Sequence, residues 1–145
     1  VDTIVTARGS KACLAVAVDR KARRVFKRKM KNKTVLEMKR TILEISAEIN
    51  IKSITYDNGT ENIFHQEINE ILGCTSYFCR PYCSQDKGQV ENRNKAIRRF
   101  FPKKTNFDLI SDEEIAIVEA TINNHPRKRL GWKTSHDVMI EACSY

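Results

Sequence analysis

The hydrophobic period of the chain changes at Thr34, and that change limits the possible folds more than any other feature. Before it, apolar residues come in short blocks separated by turn signals. The run Cys13-Leu14-Ala15-Val16-Ala17-Val18 is nearly continuous, which predicts a strand buried on both faces over 12–18. Residues 1–6 and 23–30 read as strands on either side of it. Arg8-Gly9-Ser10 and Asp19-Arg20-Lys21 supply the turns, so the first third is expected to be an antiparallel meander. From Thr34 onward, Val35, Met38, Ile42, Ile45 and Ile49 recur at spacings of 3, 4, 3 and 4, the stripe of an amphipathic helix opened by a Thr34/Glu37 capping box.

Two more strands are predicted over 52–56 and 75–79. Between them a helix over 61–72 sets Ile63, Phe64, Ile68, Ile71 and Leu72 on one face, with Gly73 as its C-cap. A helix over 88–101 is stopped by Pro102. Ser111 and Glu114 form a second capping box, opening a helix with Ile115, Val118 and Ile122 inward, and a last short helix starts near Thr134 or Ser135. The order β-β-β-α-β-α-β-α-α-α is that of ribonuclease-H-like folds. The expectation is one α/β domain over 1–145, with a mixed five-stranded sheet flanked by helices.

A chain of 145 residues can bury roughly 68–70% of its unfolded surface, enough for a real core. No apolar run approaches the roughly 20 residues of a membrane span, and no secretory segment opens the chain. Lys and Arg outnumber Asp and Glu 26 to 18, for a net charge of +8, so a polyanion is the expected partner, nucleic acid before membrane. Five cysteines, an odd number, read as reduced thiols of a cytoplasmic protein. Cys74, Cys79 and Cys83 lack the fourth ligand and the tight knuckle that structural zinc needs. The chain begins at Val1 rather than Met and is read as a fragment.

Three carboxylates are placed as a divalent-metal site would require. Hard cations take oxygen ligands, and two ions roughly 3.5–4 Å apart can clamp both the attacking and leaving oxygens of a phosphoryl transfer. Asp2 lies in the first strand, Asp57 ends the fourth, and Glu91 lies near the start of the helix after the fifth. Strands one and four side by side would bring the two aspartates together. Each acid also has an ordinary reading. Asp57-Asn58-Gly59 is a common turn, Glu91 can pair with Lys95 at i+4, and Asp2 is near a chain end.

The strings ITYDNGTE, YFCRPYCSQDKGQVENRN and NNHPRKRLGWKT resemble the catalytic core of bacterial DDE transposases, most closely the insertion sequence thirty family, which is related to retroviral-type integrase cores. The resemblance runs from Asp2 to about Val138, and the 33 positions between Asp57 and Glu91 match that family. It implies that Asp2, Asp57 and Glu91 are the catalytic, metal-binding triad for Mg²⁺, with Mn²⁺ as a substitute. Gly59 would allow close backbone approach, Asn92 would support the start of the catalytic helix, and His65 falls at a family histidine. By itself, a lone helix histidine is more often packed or solvated. Asn62 stands where an aromatic residue is usual, which predicts weaker packing beneath Asp57. Gln85 replaces a usual tryptophan, and Ser135 a common proline. The family's upstream helix-turn-helix region is absent from this chain. The implied activity is cleavage of transposon ends and strand transfer into target DNA by a bacterial, nucleoid-associated homo-oligomer. Other readings left open are a ribonuclease-H-like nuclease without strand transfer and an inactive DNA-binding remnant.

Nine of the fourteen residues from Arg20 to Lys33 are basic. They fit an edge strand protected by charge, a DNA phosphate track, or both. Lys95 and Arg98 share the face of Glu91, with Arg99 beside them, either as DNA contacts or as a solvated charged face. Lys87 and Asn92 join this DNA-facing set. Arg127 and Lys128, next to Arg129 and Trp132, can contact DNA or pack the last helix through the indole.

Overall fold

The computed structural model describes residues 2–4, 11–58 and 60–144, with the side chains of residues 2–4, Glu61, Ser84 and Lys87 left aside. Strands β1 (Asp2–Ile4), β2 (Cys13–Val18) and β3 (Val25–Met30) form the expected antiparallel meander, with Asp2 opposite Val16 and Val18 opposite Val25. Helix α1 (Val35–Ser46) follows, then β4 (Ser53–Tyr56), α2 (His65–Leu72) and β5 (Thr75–Phe78). The chain ends in α3 (Gly88–Phe100), α4 (Asp112–Asn123) and α5 (Ser135–Cys143). Element order and type agree with the sequence pattern throughout.

The fold class is the expected one, mixed α/β with helices around small sheets; among the described residues the strands pair as β1-β2-β3, antiparallel, and β4-β5, parallel. β1 is three residues long and its described ladder runs to β2, so among the described residues no ladder links the two sheets. A cleft of about 1120 Å³ opens between them, lined by Ala17, Val18, Ile54, Thr55 and Phe78 among others. Two core clusters form on opposite faces of the meander, because β2 sends alternate side chains to opposite faces. Cys13 and Ala15 pack with Met38 and Ile42 of α1, Ile54 and Tyr56 of β4, and Ile68 of α2. Leu14 and Val16 pack with Ile97 of α3 and with Ile115, Val118 and Ile122 of α4.

β3 is the edge of its sheet, and α4 closes that edge with side chains. Asn123 accepts from the Val25 N–H at 2.8 Å and donates to the Val25 carbonyl at 2.8 Å; Glu119 accepts from the Lys27 N–H at 2.6 Å. These bonds satisfy groups that would otherwise recruit another strand. Several cations of the basic run are therefore engaged within the molecule. Arg24 pairs with Glu48, Arg28 with Glu48 and Glu119, and the Lys29 ammonium donates to the Ile110 carbonyl at 2.8 Å. Lys27 is only 1% exposed, and burial pushes its ammonium down to about 8 despite the opposing pull of Glu119.

Helix ends refine the expected caps. Thr34 and Ser111 accept from the N–H groups of Glu37 and Glu114, but the complete reciprocal box forms at Thr134 and Asp137. Gly73 C-caps α2 at φ +63°. The predicted 61–72 helix splits into a 3-10 turn, Thr60–Asn62, and α2 proper.

Candidate active site

Asp57 sits immediately after β4, where buried Ile54 and Tyr56 anchor the strand in the core. The end of β4 is tied to β5: Cys79 N–H donates to the Tyr56 carbonyl at 2.9 Å, and the Asn58 amide donates to the Cys79 carbonyl at 3.0 Å. Asn62 then fixes the aspartate itself. Its Nδ2 donates to Asp57 Oδ1 at 2.8 Å and to the Asp57 carbonyl at 3.1 Å, and the residue is 4% exposed. The expectation of looser packing at this position is thus corrected, because a buried amide clamp takes the place of an aromatic ring. His65 extends the network. Its Nδ1 lies 3.1 Å from the Asn62 carbonyl, and its ring meets Phe78 edge-on at 4.9 Å. Half-buried His65 therefore belongs to the shell around Asp57.

Glu91 occupies the first turn of α3 and is exposed. The loop before it is pinned by Asp86, which accepts from Arg80 N, Nε and Nη2 at 3.1, 3.2 and 3.1 Å. Arg80 holds the Asp86 carboxyl below its usual range. Arg20, from the β2–β3 turn, donates to the Asp86 carbonyl at 3.3 Å. The structure gathers Asp57, Asn58, Asn62 and His65 into one site and sets Glu91 at a braced helix start. The Asp2 backbone lies in β1, its side chain is outside the described set, and Gly59 lies outside the described residues. Among the described residues no three His, Cys, Asp or Glu side chains group together. The carboxylate oxygens of Asp57 and Glu91 are nonetheless hard donors of the kind divalent cations take. The buried Asn62 Oδ1, which has no hydrogen-bond partner among the described residues, adds an unfilled polar atom beside Asp57.

The expected DNA-facing residues divide by exposure. Asn92, Lys95, Arg99 and Lys128 are exposed. Arg98 is half-buried, and its Nη1 lies 3.4 Å from the Pro102 carbonyl. The Lys87 backbone closes the 3-10 turn before α3, and its side chain is not among those described. Arg127 turns inward: Nε donates to Ser135 Oγ at 3.2 Å and Nη2 to the Ile122 carbonyl at 2.8 Å. Arg127 is tied to the last helix through Ser135, while Trp132 is 69% exposed.

Sequence reasoning passed over three residues here. Tyr82 is fully exposed with left-handed backbone, φ +59°, in the loop before α3. Arg23 also has left-handed backbone, φ +57°. Arg93 lies on the core-facing side of α3, four residues before fully buried Ile97. Burial, then Arg127 and Arg23, push its guanidinium down to about 10, still a cation at neutral pH. Spacing from Ile97 could have flagged Arg93; nothing local marks the other two.

No protein-family model matches the chain. It is 34% identical over 139 residues to a transposase for the insertion sequence element IS4351 of Bacteroides fragilis, covering 94% of this chain and 42% of that protein. It is also 34% identical over 130 residues to the transposase InsI for IS30C of Escherichia coli K12, covering 87% of this chain and 34% of that protein. The chain thus spans less than half the length of these relatives. A crystal structure of the catalytic core domain of BIV integrase superposes with a TM-score of 0.72 at 19% identity, covering 97% of this chain and 91% of that one. The fold is that of an integrase catalytic core, of ribonuclease-H-like class. Within that class, the sequence resembles insertion sequence transposases of the DDE type, the insertion sequence thirty family among them, along nearly its whole length. No helix among the described residues is long and apolar enough to cross a membrane.

Proposed function

We propose that residues 1–145 form the catalytic core of a DDE transposase, one domain that cuts the ends of a mobile element and joins them to target DNA. The observation that carries this reading is the clamped Asp57 at the end of β4, in an integrase-type fold that also presents Glu91 on the first turn of α3. Asp2, Asp57 and Glu91 would hold divalent metal, Mg²⁺ with Mn²⁺ as substitute. When bound, such ions activate water and stabilise the oxygens of an in-line displacement. Asp57 and Glu91 supply carboxylate oxygens, Asn62 orients Asp57, and the Asp86–Arg80 brace holds the start of α3. Exposed Lys95, Arg99 and Lys128 meet DNA phosphates, with Lys87, Asn92 and Arg98 beside them, positioning the backbone rather than reading sequence. Gly59 leaves room beside the site, and His65 supports Asn62. No Ser, Tyr or Cys nucleophile is assigned, because the displacement needs no covalent protein–DNA link. Paired ends require more than one copy, so the working form is a homo-oligomer on DNA in the bacterial cytoplasm, at the nucleoid.

Plasmid nicking and oligonucleotide strand transfer in Mg²⁺ or Mn²⁺ test this reading. Asp57→Asn and Glu91→Gln should abolish both reactions while DNA affinity stays intact or rises. Wild-type rates in either variant would refute the triad. Nicked but never joined products would identify a nuclease without strand transfer.

A further inference from the structure

We propose that Arg20 and Arg80 form a clamp that holds one phosphate of a DNA strand between them, beside the start of α3. Both guanidinium groups are seated on a single residue, Asp86. Arg20 reaches it from the β2–β3 turn, 66 positions away in the chain, with Nη2 donating to the Asp86 carbonyl at 3.3 Å. Arg80 reaches it from the segment after β5, with Nε and Nη2 donating to the Asp86 carboxylate at 3.2 and 3.1 Å. Hydrogen bonds to a common residue therefore bring together two cations from distant parts of the chain. Arg20 and Asp86 also line the same cleft between the two sheets.

The pair is held in place without being used up. A guanidinium carries about five N–H donors, of which these bonds take one from Arg20 and two from Arg80. Arg20 is exposed and the Arg80 side chain is 71% exposed, so the rest of each fork is open to an outside acceptor. Other cations of the same basic run are engaged internally: Arg24 and Arg28 pair with Glu48 and Glu119, and Lys27 is buried. Arg20 instead meets a neutral carbonyl at the surface, next to exposed Lys21. Guanidinium forks match phosphate oxygens, and the resulting bonds are charge-assisted. The position suits a strand passing the carboxylates. The 3-10 turn Ser84–Lys87 runs straight into α3, so at about 2.0 Å and then about 1.5 Å per residue Asp86 lies roughly 8–9 Å before Glu91 along the axis. Phosphates of one strand follow at about 3.4 Å of rise, which sets the clamp about two to three nucleotides from Glu91. That the phosphate is DNA's rests on the proposed function.

The test uses the whole chain with Arg20→Gln, Arg80→Gln, the double variant, and Arg24→Gln, which removes a cation already paired with Glu48. Duplex DNA affinity is measured by fluorescence anisotropy across a salt series, and thermal unfolding checks that each variant folds. One phosphate contact contributes about 0.9 to the slope of log K against log salt, or roughly eightfold in affinity at about 0.1 M salt. The double variant should lose that amount, uniformly across DNA sequences, with each single variant between it and the wild type. Arg24→Gln should bind as the wild type does. An unchanged slope in Arg20→Gln, whose side chain lies at the surface, overturns the clamp even if Arg80→Gln disturbs its loop. A fall of about 1.8 in the double variant would mean two separate phosphate contacts and overturns the shared clamp. An equal loss in Arg24→Gln would reduce the effect to overall charge and overturns it as well. A slope lowered as expected, in a protein that never nicks DNA with metal, would leave the clamp standing and fail the transposase reading. Absence of DNA binding by the wild type would overturn both.

Discussion

Replacing Asn62 by Ala should weaken metal binding more specifically than it weakens the fold. The side chain makes two hydrogen bonds to Asp57, at 2.8 and 3.1 Å, the shorter one to the carboxylate. A hydrogen bond to a charged group contributes about 1.5–3 kcal/mol and a neutral one about 1 kcal/mol. Asp57 is half-buried, so water replaces part of the loss, and about 2 kcal/mol of stability should disappear. Groups that orient metal ligands typically contribute ~10–100-fold in affinity or activity. Urea unfolding without metal gives the first quantity, and Mn²⁺ titration followed by electron paramagnetic resonance gives the second. Asn62→Gln, which keeps the amide, should recover part of the Mn²⁺ affinity. Loss of stability with Mn²⁺ affinity unchanged would refute the positioning role, and both unchanged would mean that the clamp carries no energy.

Other perturbations give distinct signatures. Lys27 drops from an ordinary 10.5 to about 8 on folding, so the unfolded chain holds the proton between those values and the native chain does not. This contribution to stability is complete above 10.5 and is lost as pH falls through 8, by up to ~3 kcal/mol at about 1.4 kcal/mol per pH unit. Lys27→Met should therefore be more stable than wild type at pH 7, with the gap closing by pH 10; a constant gap in urea unfolding would show that the ammonium reaches water. Asn123→Ala strips both bonds from Val25 at the β3 edge and should cost about 2–3 kcal/mol, with new self-association visible in light scattering. A monomer of unchanged stability would contradict the edge-capping role. Tyr82→Gly relieves left-handed strain, so it should raise stability by about 1 kcal/mol. A lower midpoint in urea unfolding would refute that reading.

Much of the site could be seen in the sequence because its signals are local. Asp57 was placed by a turn sequence after an apolar strand, and Glu91 by the start of a periodic helix. Asn62 looked like a deficit, since its value lies in an acceptor five residues back that only a folded turn brings near. The basic stretch from Arg20 to Lys33 was ambiguous for a related reason. Whether a lysine on β3 faces DNA or Ile110 depends on which helix crosses the edge, and α4 begins more than eighty residues later.

The sequence alone determined the order and type of every element, because strand and helix periods and caps are properties of neighbouring residues. It also placed the carboxylates at element ends and set the excess of positive charge. Tertiary structure decided how the strands pair and which cations are spent inside the molecule. Those outcomes depend on contacts between distant segments, such as Asn123 with Val25 and Lys29 with Ile110, and no local pattern encodes which distant groups will meet.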